Sequence, residues 1–242
     1  MPNILKVKSR FSLDLKRENN VELKKLHTMK KTTFLKIVLL IFVFLQHFNS
    51  YSQNFIPFAP RYNQDIKGDM LLIGNSILNR APNPNTAYND NGLNSNFNMQ
   101  FINIDNGATP GVFNSSSANL VVPNSNALGT PCYKIRYAAL YWGAVTRGAS
   151  PITDVRFRMP TGGYNNVTGT VIYDTGTGVI GTSKPYACFA DVTSLVTSAA
   201  NANPEGTYTL ANVSSAVGSN GGTGLSAGWS LFIVYEDPKL PT

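Results

Sequence analysis

The sequence predicts an all-β protein, an antiparallel sandwich of jelly-roll or immunoglobulin-like type, and three observations carry that prediction. Nine short apolar runs are separated by turn residues, several runs alternate in and out, and only one stretch has helical periodicity. The runs are 70–78, 97–104, 118–122, 133–145, 154–159, 167–173, 186–190, 207–213 and 229–235. In the fifth, Val155, Phe157 and Met159 alternate with Arg156 and Arg158, the period-two pattern of a strand with one solvated face. The helical exception is 191–200, where Asp191 is the candidate N-cap and Val192, Leu195, Val196 and Ala199 share a face. Strands that do not alternate with helices argue against a parallel α/β sheet.

The connections fit the same picture. Residues 53–68 form an extended lead-in, because Pro57 and Pro60 break any helix and Gly68 marks a turn before the first run. Residues 83–106 hold nine Asn, and 218–224 are almost entirely Gly, Ser, Asn and Thr, so both read as surface loops. The pattern Gly176-Thr177-Gly178-Val179-Ile180-Gly181 has the letters of a dinucleotide-binding turn. Thr182, Ser183, Lys184 and Pro185 follow it where a helix would have to open, so it reads as a hairpin connection. The last run, 229–235, is the most apolar, and only seven residues follow it. Such a strand is either central in its sheet or has a partner further downstream. The expectation is a sandwich domain over 69–242, incomplete at its C-terminus and part of a longer protein.

Charge is concentrated at one end. Of the formal +7, residues 1–52 supply all of it, with ten Lys and Arg against three acids, and the remaining 190 residues balance ten against ten. A polyanion-binding surface needs clustered cations, so nucleic acid is not an expected partner. Met29 opens a plausible leader: Lys30, Lys31 and Lys36 precede the unbroken apolar run 37–45, and Ser50-Tyr51-Ser52 sets small residues at −3 and −1. The expectation is a signal peptide over 29–52, cut between Ser52 and Gln53, with 1–28 an upstream start-site extension. Nine apolar residues are too few for a transmembrane helix, which needs roughly 20. The destination is therefore extracellular or the outer cell surface.

Export makes the cysteines interpretable. Cys132 and Cys188 are the only two, and an oxidising compartment permits a disulfide between them; two buried free thiols are the alternative.

Both histidines, His27 and His47, precede the expected cut, so residues 53–242 contain none. That removes histidine general bases, Ser-His-Asp and Cys-His nucleophiles, and His-ligated zinc. Asp90-Asn91-Gly92 and Asp105-Asn106-Gly107 offer Asp90 and Asp105 as weak calcium candidates, although Asp-Asn-Gly is first of all turn chemistry. Tyr141, Trp142 and Trp229 are conceivable sugar-stacking platforms, but their apolar neighbours place them in or beside a core.

The segments "YKIRYAALYWGAV" (133–145), "YACFADVTSLV" (186–196), "GTYTLANV" (206–213) and "AGWSLFIVYEDP" (227–238), with "GDMLLIGNSILNR" (68–80) and "FNSSSANLVVP" (113–123), appear in this order. As a set they resemble the N-terminal β-rich region of large secreted adhesin-like surface proteins of Bacteroidetes, the kind associated with gliding motility and type IX secretion. The resemblance implies a β-scaffold with no catalytic residues, followed in such proteins by further β-domains and a sorting domain. The expected function is a non-catalytic structural or adhesive module with an unknown surface or matrix ligand, including a glycan. A carbohydrate-binding module of an extracellular enzyme and a histidine-free glycosidase with two facing carboxylates are the alternatives.

Overall fold

The structure is a computed structural model that describes residues 33, 35–36, 38–40, 54–55, 57, 59–86, 92–123, 133–147, 153–175, 183–198, 203–219 and 224–240. The chain divides into two compact units, 1–50 and 51–242. The described residues of the first are helical, and no described helix is long and apolar enough to cross a membrane.

The second unit is mostly antiparallel β-structure. In chain order its strands are β1 (Asn54–Phe55), β2 (Gly68–Ser76), β3 (Leu78–Arg80), β4 (Met99–Phe101), β5 (Ser115–Leu120), β6 (Lys134–Thr146), β7 (Asp154–Arg158), β8 (Tyr164–Thr168), β9 (Thr170–Asp174), β10 (Lys184–Asp191), β11 (Gly206–Ala211) and β12 (Ala227–Glu236). A six-stranded sheet runs β1-β9-β10-β6-β12-β2, a four-stranded sheet runs β5-β11-β7-β8, and β3 and β4 form a small ribbon.

The two larger sheets enclose one core. Burial in β12 alternates strictly along its whole length, turning Trp229, Leu231, Ile233 and Tyr235 inward. Leu140 and Trp142 from β6 and Tyr186 and Cys188 from β10 join Trp229, Leu231 and Ile233, against Phe157 of β7 and Tyr208 and Leu210 of β11, whereas Tyr235 packs with Val122 and Tyr133 in a smaller cluster. Each large apolar side chain sequestered in this way stabilises the fold by about 1.5–3 kcal/mol. Polar ties cross the layers as well: Trp229 Nε1 donates to Ser116 Oγ at 2.9 Å, and Asn75 Nδ2 of β2 to Ser117 O of β5 at 2.8 Å. The apolar run 229–235 is central, with β6 on one side and β2 on the other.

The run 167–173 is not one strand. It breaks at Gly169: β8 pairs with β7 in the small sheet, whereas β9 pairs with β10 in the large one. A Cβ on Gly169 would lie 2.2 Å from Cη2 of Trp142, so the chain changes sheets where only glycine fits over that indole. The helical stretch is also shorter than expected, a single turn at Thr193–Val196. Asp191 does assist it, its Oδ1 accepting the Thr193 N–H at 2.9 Å. Strands β9 and β10 are antiparallel neighbours, as a hairpin around 176–181 requires, although 176–182 lie outside the described residues.

Candidate functional site

The inward turn of alternate residues leaves the others on the outer face of the large sheet, and register decides which of them meet. Gly228 of β12 faces Gly143 of β6, which faces Ala187 of β10. In the next row Ser230 faces Tyr141, and Tyr141 faces Phe189. A floor of glycine and alanine beside a row of rings produces a shallow groove of about 260 Å³. Its wall is the half-buried Tyr141, tilted at 50° against Phe189 with ring centres 5.2 Å apart.

The lead-in lies across the same face. Arg61 places its guanidinium 3.9 Å from the centre of the Phe189 ring, a cation–π contact, and Tyr62 stacks on Tyr137 at 5.4 Å. Tyr137 consequently has little exposure although it belongs to the outer row. Beyond the stack a second hollow of about 330 Å³ opens between this strap and β2, bounded by Tyr62, Gln64, Ile66, Met70 and Val234. On β2 itself Met70 is 61% and Leu72 66% exposed, two large apolar side chains in water on a strand paired with β12 and tied to β5 through Asn75 Nδ2, which donates to Ser117 O at 2.8 Å.

The residues singled out in the sequence are distributed differently. Asp105 is 8% exposed, and its carboxylate is occupied locally: Oδ1 accepts the Thr109 N–H at 2.7 Å and Oδ2 the Thr109 hydroxyl at 2.9 Å. Asn106 at φ 50° and Gly107 at φ 81° complete a turn, so this Asp-Asn-Gly ties a loop. No group of three metal-ligating side chains occurs among the described residues. Asp90, Ser52, Gln53 and Cys132 lie outside them.

The expected disulfide requires correction. Cys188 is a free, fully buried thiol in mid-β10, paired in register with Trp142. Tyr133, the covalent neighbour of Cys132, stands nine residues back from Trp142 along β6, roughly 30 Å at strand rise. A disulfide requires Cα atoms within about 7 Å, so the register carries Cys188 far from that end of β6. Burial pushes the Cys188 thiol up to about 11, which keeps it protonated and poorly nucleophilic at neutral pH.

Both tryptophans are core residues, at 2% and 6% exposure, and neither can serve as a stacking platform. Among the described residues, neither hollow has two acids in its lining. The groove has no carboxylate in its lining, and the hollow under the strap has only Asp69, whose Oδ1 accepts the Met70 N–H at 2.8 Å. Asp154 accepts from Thr168, Glu205 from the Val122 N–H, and Glu236 pairs with Arg136. The two hollows offer surface for binding, and their described linings hold no pair of carboxylates.

Sequence reasoning missed the outer-face features Arg61, Tyr62, Met70 and Leu72. Only Met70 and Leu72 gave any signal, and a strand apolar on both faces ordinarily means double burial. No known protein family, curated protein or solved structure matches the chain.

Proposed function

We propose that this chain is a non-catalytic adhesive or scaffolding module of an exported surface protein, and that it meets its ligand through the outer face of the large sheet. The observation that carries the reading is the groove floored by Gly143, Ala187 and Gly228 and walled by Tyr141, which has no carboxylate in its lining. A rigid sheet presenting a shallow groove floored by small residues suits weak contacts multiplied over many copies. The leader ending at Ser52, the histidine-free region 53–242 and the resemblance to gliding-associated surface proteins support the same assignment. A carbohydrate-binding role is the second reading, favoured by the partly exposed Tyr141–Phe189 pair beside that floor.

The test is binding of the purified chain to whole cells and to a glycan array, with and without calcium, alongside Tyr141→Ala. The reading expects saturable binding that Tyr141→Ala weakens about tenfold, near the upper end of what one aromatic contact supplies. Selective capture by one defined sugar would favour the carbohydrate reading. Turnover of a glycan, or binding indifferent to Tyr141, would overturn the assignment of this face.

A further inference from the structure

Strand β2 closes one end of the six-stranded sheet, and its backbone polarity can be read directly. The Ile77 N–H donates to Ala227 O at 2.8 Å, and Lys67 O accepts the Asp237 N–H at 2.8 Å, so odd-numbered residues address β12. Even-numbered residues therefore turn their N–H and C=O groups to the open side. Two of these donors are satisfied locally: Met70 N–H by Asp69 Oδ1 and Ser76 N–H by Asn75 Oδ1, both at 2.8 Å. Side-chain caps at the two ends leave Leu72 and Gly74 as the interior donors, in the middle of the strand where Met70 and Leu72 stand exposed.

We infer that this edge pairs with the same edge of a second copy, antiparallel, about a two-fold axis at Leu72. In that register Leu72 meets the partner copy's Leu72, and Met70 meets the partner copy's Gly74. The interior donors are then used in full. Each Leu72 N–H reaches the other Leu72 carbonyl and each Gly74 N–H reaches a Met70 carbonyl, giving four ladder bonds without disturbing either cap. Size is complementary as well. Gly74 cannot carry a side chain, because a Cβ there would lie 2.2 Å from Trp229 O, so the long Met70 side chain passes over a bare strand. Charge permits the pairing: Asp69, the only charged residue of β2, comes opposite Asn75 of the other copy instead of another acid. On the outer face Leu72 adjoins Phe232, so the joined sheets carry one apolar strip across the axis. A single pair of strands buries less than the roughly 1,200–2,000 Å² of a standard stable interface, so the dimer forms at about micromolar concentration or above.

Sedimentation equilibrium of the purified full chain is expected to show a concentration-dependent dimer, lost in Leu72→Lys with unchanged far- and near-ultraviolet circular dichroism. In a Cys132→Ser background, Leu72→Cys is expected to yield a covalent dimer on mild oxidation, since directly opposed strand residues have Cα atoms about 5.5 Å apart. Met70→Cys is expected to yield none, because its two copies lie on either side of the axis. A chain monomeric to about 1 mM, a dimer unaffected by Leu72→Lys, or crosslinking from Met70→Cys as readily as from Leu72→Cys would each overturn the inference. Capture of a foreign strand on this edge without self-association would do the same.

Discussion

Asn114 offers the sharpest probe of how one end of the β5–β11 pair is held. Its side chain is fully buried and behaves as a backbone surrogate: Nδ2 donates to Val213 O at 2.8 Å, and Oδ1 accepts the Val213 N–H at 3.1 Å. Asn212, at φ 64°, returns the arrangement, its Oδ1 accepting the Phe113 N–H at 3.1 Å and its Nδ2 donating to Gly111 O at 2.9 Å. Asn114→Leu conserves shape but strands the N–H and C=O of Val213. Each buried group left unsatisfied costs about 1–3 kcal/mol, and the added apolar burial returns part of that, so the net loss should be about 2–4 kcal/mol. With a urea m-value of about 2 kcal/mol/M, the midpoint falls by about 1–2 M at unchanged m. Asn114→Asp separates the two bonds. It keeps an acceptor for Val213 N–H but sets a carboxylate against Val213 O. Burial and that carbonyl raise the new acid's native pKa, so its deficit is largest at neutral pH and shrinks as pH falls and the acid protonates. A loss below about 1 kcal/mol for Asn114→Leu, or no pH dependence for Asn114→Asp, would refute the clamp.

Three further outcomes follow from the packing. Gly169→Ala drives a Cβ to within 2.2 Å of the Trp142 ring, so it should cost about 1–3 kcal/mol and shift tryptophan emission in the native state. Gly74→Ala collides with Trp229 O at 2.2 Å, and hydrogen exchange should accelerate in β2 well before it does in β6. The Cys188 thiol, raised by burial from 9.0 to about 11, retains its proton in the native state after the unfolded chain has lost it. Stability should therefore fall by about 2–3 kcal/mol as pH rises through that window, and Cys188→Ala should flatten that part of the alkaline unfolding curve.

The strands were legible because alternation is local. Val155 and Phe157 face the core and Arg156 and Arg158 do not, as their spacing requires. What local pattern cannot carry is pairing. The run 167–173 reads as one strand because its apolar residues continue through Gly169, and only the position of Trp142 across the core shows why the chain changes sheets there. The cysteines failed for the same reason, since compartment permits a bond but register sets the distance. The asparagines of 83–106 signal surface loops, yet Asn103 accepts from the Ser115 hydroxyl, and Asn79, Asn114 and Asn212 outside that stretch bond backbone groups. At the candidate site, Tyr141 was visible as an aromatic next to Trp142, but its separation from that core residue is a matter of facing. The groove itself depends on three small residues from three distant strands, which no single segment reveals.

The most direct test of the binding-face assignment is hydroxyl-radical footprinting of the chain bound to cells, at concentrations below those that drive self-association. The account predicts protection of Tyr141 and Phe189 on the large sheet, with Phe113, 49% exposed beside the small sheet, modified as in the free chain. Protection of Phe113 with Tyr141 and Phe189 unchanged would place the ligand on the opposite side and contradict it.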